Sequence, residues 1–211
     1  MAEATETRPV RRSALEGVLA PGDVGTIGAD GPGVTVTERR SLAIVQIDAF
    51  AETAAETAEM VVKAVGVRPS QTPLDAHGLG ETTALWIGPE SWLIVEPEAA
   101  RTGESLHDAL AGALGGQAAV TDQGHGRVCL RIAGPHLTAL LAKGCTLDLD
   151  PGGDLDPGRV AGTALGHMAA SVHRIDAETA DLYVARSFAV SFADWLLHAA
   201  AEYGCRVTEP A

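Results

Sequence analysis

The sequence predicts an α+β fold, and three observations carry that prediction. Short β-rich runs recur along the chain, amphipathic helical stretches separate them, and the order of elements comes round twice. The first pass reads β-α-β-β-α and the second β-β-α-β-β-α. Such units resemble split βαβ, ferredoxin-like topology, in which helices cover one face of a largely antiparallel sheet. Two units packed together would hide both sheets. The expected organisation is an N-terminal arm over 1–33, a first α+β unit over 34–116 and a second over 117–211.

The arm is expected from its punctuation. Pro21-Gly22-Asp23-Val24-Gly25 and Gly31-Pro32-Gly33 are too rich in breakers for regular structure. Leu15, Val18, Leu19, Val24 and Ile27 give it apolar residues to bury. It either folds back on its own domain or lies along a neighbouring subunit.

Regular patterning starts at Val34. Val34, Val36, Ala43, Val45 and Ile47 share one parity, with a polar break at 37–40, and read as one or two strands. Over 51–65, Ala51, Ala54, Ala55, Ala58, Val61, Val62 and Val65 form a stripe at helical spacing. Asp48 is the expected N-cap, with Gly66 and Pro69 as the stop. Residues 83–87 and 92–95 then form a hairpin around Gly88-Pro89-Glu90-Ser91. Alternation along its strands would turn one of Trp86 and Trp92 to the core and the other outward.

A helix follows over 104–114, stopped by Gly115-Gly116. In the second half, 118–120 and 127–132 read as strands, and 135–143 as a short helix with proline in its first turn. An acidic, Pro/Gly-rich loop occupies 148–158, and strands are expected over 162–175 and 182–185. The last helix spans 188–203, capped by Ser187, with Phe188, Phe192, Trp195, Leu196, Ala199 and Tyr203 inward.

Composition narrows the function. The formal charge is −13, from 15 Lys+Arg against 28 Asp+Glu, so a nucleic acid would be repelled, and no basic stripe reverses this. No stretch approaches the roughly 20 apolar residues of a membrane span. Residues 1–12 lack the apolar segment of a signal peptide, and the three cysteines are odd in number and far apart. The cytoplasm is the expected location.

The search for chemistry returns little. Gly25, Gly28, Gly31 and Gly33 precede a strand instead of following one, which is the wrong order for a phosphate cradle. His167 and His173 would stand roughly 20 Å apart on an extended strand, too far to share a metal. No GxSxG elbow occurs. Cys129 lies inside a strand, and Cys145 follows a helix C-terminus, where the dipole does not favour a thiolate. No catalytic, cofactor-binding or metal-binding residue is therefore assigned. The polar segment Asp122-Gln123-Gly124-His125-Gly126-Arg127 is either a tight turn closed by an Asp–Arg pair or a contact site. Trp86, Trp92, His125 and Arg127 are the candidate subunit contacts.

Several stretches read together carry a resemblance. They are Leu85-Trp86-Ile87-Gly88-Pro89-Glu90-Ser91-Trp92-Leu93-Ile94, Thr121-Asp122-Gln123-Gly124-His125-Gly126-Arg127, and Arg131-Ile132-Ala133-Gly134-Pro135. Leu141-Ala142-Lys143-Gly144-Cys145-Thr146-Leu147-Asp148-Leu149, Leu165-Gly166-His167 and Ala185-Arg186-Ser187-Phe188-Ala189 continue it in order. Taken from about residue 10 to 204, the chain resembles the gamma subunits of heterotetrameric sarcosine oxidases, departing at Gln123-Gly124, where the family more often has a small or hydroxyl residue. The resemblance implies a non-catalytic structural subunit with alpha, beta and delta partners and a fold similar to the folate-binding domain of aminomethyltransferase. It also implies a complex that oxidises sarcosine to glycine and hydrogen peroxide. The one-carbon unit would leave as formaldehyde or pass to tetrahydrofolate, with FAD, FMN, NAD, zinc and folate held by the other chains. Two alternatives stay open: the same role in a related oxidase of N-methyl amines or imino acids, and a stand-alone folate-binding aminomethyltransferase-like protein.

Overall fold

A computed structural model of the chain describes residues 12–211. The part of the expected arm over 1–11 lies outside the described residues. The rest of it folds back. Leu15 is fully buried and Leu19 nearly so, and a short strand β1 (Gly22–Val24) pairs antiparallel with β12 (Cys205–Val207) at the chain's other end.

Two sheets form the body of the protein. The larger has seven strands in the order β1, β12, β2 (Val34–Arg39), β8 (Arg127–Ala133), β11 (Thr179–Ala185), β10 (Met168–Arg174), β9 (Arg159–Leu165). Its pairings are antiparallel except for β12 alongside β2. The smaller has five strands, β4 (Ala76–Leu79), β5 (Thr82–Gly88), β6 (Ser91–Pro97), β3 (Leu42–Ala49) and β7 (Ala118–Asp122), all antiparallel. Helices α1 (Ala54–Val65) and α2 (Leu106–Leu114) share a core with the smaller sheet; α3 (Leu137–Ala142) and α4 (Ala189–Ala200) share one with the larger.

Strand periodicity explains the layering. Val45, Ile47, Ala84, Trp92 and Ile94 face α1 and α2. The alternate residues Leu42, Ile44, Leu85, Leu93 and Val95 meet Cys129, Val160 and Tyr183 of the larger sheet. The order is thus helices, sheet, sheet, helices. This is why 42–47 is a nearly continuous apolar run: β3 buries both faces.

The sheets do not divide the chain at 116/117, where the sequence placed the unit boundary. β2 joins the larger sheet, between β8 and β12, while β7 returns to the free edge of β3 in the smaller one. Pairing partners, not periodicity, decide sheet membership, and a strand's own residues do not name its partner.

Local chemistry accounts for most helix ends. Gly66 and Gly115 are left-handed and close α1 and α2; Ser105 accepts the Asp108 N–H (3.1 Å) at the start of α2. The expected caps at Asp48 and Ser187 are not formed. Asp48 lies within β3, and Ser187 sits in a 3-10 turn ahead of α4. Phe188 is 47% exposed, because that turn rotates it off the buried stripe begun by Ala189 and Phe192.

Gly25 fixes the arm against the chain end. Its φ of +77° suits glycine, and a Cβ there would stand 1.9 Å from the Ala201 carbonyl oxygen. Gly25→Ala is expected to lower stability by more than about 1 kcal/mol, read as a lower denaturation midpoint. A wild-type midpoint would show that the arm's docking is loose at this point.

Candidate functional site

The inner face of the larger sheet becomes polar where the smaller sheet stops covering it. Register places Arg131 beside Asp181, and Asp181 beside His173. The buried Asp181 carboxylate accepts from Arg131 Nε (2.7 Å) and a second Arg131 nitrogen (2.8 Å), and from Arg39 (2.8 Å). Such a bidentate pair with a second guanidinium is a strong, directional arrangement. Burial pushes the His173 imidazole below its ordinary pKa, with Asp181 pulling the other way. Hydrogen bonding to Asp181 raises that of Arg131.

Beyond this cluster lies an open cleft of about 300 Å³ where the sheets diverge. Arg12, Arg39, Arg40, Arg127 and Arg186 line it, against Glu38 and Glu98. Leu42, Ile44, Val128 and Cys129 supply its apolar wall. Most of the guanidinium groups are engaged. Arg40 pairs with Glu38 (2.7 Å), which also accepts from the Ser13 hydroxyl, and Arg186 donates to the Arg12 carbonyl (2.7 Å). Arg127 is not among them. Its Nε is buried with no hydrogen-bond partner, it forms no ion pair among the described residues, and burial lowers its pKa.

The turn that delivers Arg127 is as tight as its glycines suggest. The Gln123 carbonyl accepts the N–H groups of Gly126 (2.9 Å) and Arg127 (3.1 Å). The expected Asp122–Arg127 pair is absent, because Asp122 folds onto its own turn and accepts the Gly124 N–H (2.7 Å). His125 is exposed and lines an adjoining hollow of about 250 Å³ with Glu96, Glu104, His107 and Asp122; Leu42, Glu98 and Gly124 border both spaces.

The two tryptophans lie elsewhere, on the helix side of the smaller sheet. Trp86 and Trp92 are direct cross-strand partners and so share a face, contrary to the opposite orientations expected. The loop between the strands sets the pairing, and each strand's own alternation is silent on it. Depth separates them instead. Trp92 is 1% exposed and its indole N–H donates to the Ser70 carbonyl (2.6 Å), whereas Trp86 is half-buried beside Pro73, Pro89 and Glu90. Phe50, 61% exposed, adjoins the same hairpin, since Ala49 N–H donates to the Glu90 carbonyl.

The structure thus brings Arg127 together with four arginines the sequence did not single out, places His125 in the adjoining hollow, and leaves the tryptophan pair elsewhere. Only Arg127 carried a local signal, its glycine-flanked polar turn. The others come from positions as far apart as 12 and 186 and meet through sheet pairing. The glycines of 25–33 cradle no helix N-terminus: Gly28 and Gly31 bridge each other, and Gly33 packs on Tyr203. His167 occupies the β9–β10 turn while His173 is buried on β10. Burial pushes the Cys129 thiol well above its ordinary pKa and that of Cys205 up to about 11, which disfavours either thiolate at neutral pH. Among the described residues, no three His, Cys, Asp or Glu side chains are grouped to hold a metal ion, and no helix is long and apolar enough to cross a membrane. Guanidinium groups over an apolar wall suit the binding of a carboxylate or another anion.

Comparison with known proteins gives a consistent result. The model of the sarcosine oxidase, gamma subunit family matches residues 49–202. Sarcosine oxidase subunit gamma of Corynebacterium sp. (strain U-96) is 30% identical over 129 residues, 61% of this chain and 60% of that protein. The corresponding subunit of Arthrobacter sp is 37% identical over 90 residues, 42% of each chain. The aligned regions therefore span 60% or less of these relatives' length. Among solved structures, a chain of heterotetrameric sarcosine oxidase from Corynebacterium sp. U-96 in complex with pyrrole 2-carboxylate has a TM-score of 0.78 at 24% identity. The match covers 92% of this chain and 96% of that one. Glycine cleavage system aminomethyltransferase T from Bartonella henselae follows with a TM-score of 0.58 at 13% identity, covering 85% and 48%.

Proposed function

The chain belongs to the sarcosine oxidase gamma subunit family, and we propose that it is the gamma chain of a heterotetrameric sarcosine oxidase, a structural subunit with no reaction centre of its own. The observation that carries this reading is the family match over 49–202, joined to a fold that covers 96% of a chain from such a heterotetramer. Its partners would be the alpha, beta and delta subunits, in the cytoplasm. The complex would oxidise the N-methyl group of sarcosine, releasing glycine and hydrogen peroxide, with the one-carbon unit leaving as formaldehyde or passing to tetrahydrofolate. FAD, FMN, NAD, zinc and the folate would reside on the other chains.

The side chains support a non-catalytic role. The two buried thiols are held protonated, and the strongest ionic cluster, Asp181 with Arg39 and Arg131, is spent on internal pairing. The likeness to aminomethyltransferase T, at 13% identity, shows a shared fold and assigns no folate to this chain.

The expected result for the purified chain alone is no flavin absorbance and no peroxide release when sarcosine is added. A yellow protein, or sarcosine-dependent peroxide from this chain by itself, would contradict a structural role.

A further inference from the structure

We propose that the arginine cleft between the two sheets is the seat of a partner subunit's carboxylate, an aspartate or glutamate side chain that enters the cleft and pairs with Arg127. This rests on the reading of the chain as a subunit.

Charge distribution is the first argument. The chain carries 28 acidic against 15 basic residues, yet five of those 15 line this one cleft, facing two carboxylates. An acidic segment of a partner would be repelled by most of the surface and attracted here. Complementarity of this kind fixes register between subunits more than it adds bulk affinity.

Arg127 is the second. Its Nε is cut off from water and meets no acceptor among the described residues, which is costly to keep, and burial lowers its pKa. Glu38, which lines the same cleft, bonds to Ser13 and Arg40 instead. A carboxylate entering the cleft would pair with the terminal nitrogens of this guanidinium, which have no ion-pair partner among the described residues, and the wall of Leu42, Ile44 and Val128 would strengthen the pair by excluding water.

Size is the third. At about 300 Å³ and open to solvent, the cleft lies at the lower end of small-molecule sites but admits a protruding side chain.

The test uses the full chain and the other subunits of its complex. Arg127→Met keeps an unbranched stem and removes the charge; Arg127→Glu reverses it. The expected results are association at least about tenfold weaker for Arg127→Met, weaker still for Arg127→Glu, and an isolated-chain melting temperature equal to or above wild type. Among Asp/Glu→Arg variants of the partners, one should restore binding to Arg127→Glu. Wild-type affinity in Arg127→Met would overturn the proposal. So would weaker binding accompanied by a lower melting temperature, which would make Arg127 a folding residue. A parallel titration of the isolated chain with acetate and with inorganic phosphate separates the free-anion case: Arg127-dependent stabilisation with unchanged assembly would replace the partner carboxylate by a small anion. If the wild-type chain joined no partner at all, the proposed function would fail first and the docking site with it.

Discussion

Trp92→Ala is expected to destabilise the chain by about 3–5 kcal/mol, the range for removing a fully buried large aromatic side chain. Trp92 sits on β6, between β5 and β3, with Val45, Ile47, Ala84 and Ile94 in the same core. Its indole N–H also satisfies the Ser70 carbonyl at 2.6 Å, which ties the 66–75 connection to the sheet. The substitution would leave a cavity under α1 and an acceptor without its donor. For a chain of this length each kcal/mol moves the melting temperature by roughly 2–4 °C, so a fall of roughly 10 °C is expected. Trp86→Ala removes a half-buried ring from the same face and should lower stability by about 1 kcal/mol. Its larger effect is expected in assembly, where Trp86 and the exposed Phe50 stand at one end of the sheet. Equal melting temperatures for the two variants would contradict the difference in depth between the rings.

Asp181→Asn is the second large effect, a loss of about 2–3 kcal/mol in urea unfolding. The carboxylate is 1% exposed and three guanidinium N–H groups converge on it from two strands. An amide keeps the shape but cannot offset two cations, and it turns a donor toward one of them. Arg39 and Arg131 are themselves partly exposed, which places the loss at the lower end for buried pairs.

The change should also extend the acid limb of stability to lower pH. The His173 pKa is depressed by burial in the folded protein, so between that value and about 6.5 the unfolded chain binds more protons. Stability therefore rises with pH across this window and is lost as pH falls below about 6.5. Asp181 opposes the depression, so its removal widens the window downward. An acid limb unchanged in Asp181→Asn would show that His173 does not sense this carboxylate.

Parts of this architecture are legible in the sequence because they are local. The stripe of α1, its glycine stop, the strands flanking Gly88-Pro89-Glu90-Ser91 and the buried face of α4 each follow from spacing and breakers within a dozen or so residues. Thr57 shows the limit of the pattern: it is buried on α1 although polar. β4 and β12 are strands of only four and three residues and acquire their identity from the strand edge each one joins. The exchange of β2 and β7 between sheets is invisible for the same reason. So is the cleft, whose arginines stand at strand ends and turns where a single charged residue is unremarkable. What the sequence did single out there was Arg127, through its neighbours Gly124 and Gly126, and the structure gives that cleft residue a buried Nε with no partner among the described residues.

Co-expression of this chain with the alpha, beta and delta subunits of a sarcosine oxidase, followed by purification through a tag on this chain, tests the central claim most directly. The account predicts one stable assembly with the four chains in equal amounts, flavin absorbance, and sarcosine-dependent peroxide release that the isolated chain lacks. Recovery of this chain alone, beside a fully active complex assembled without it, would contradict the account.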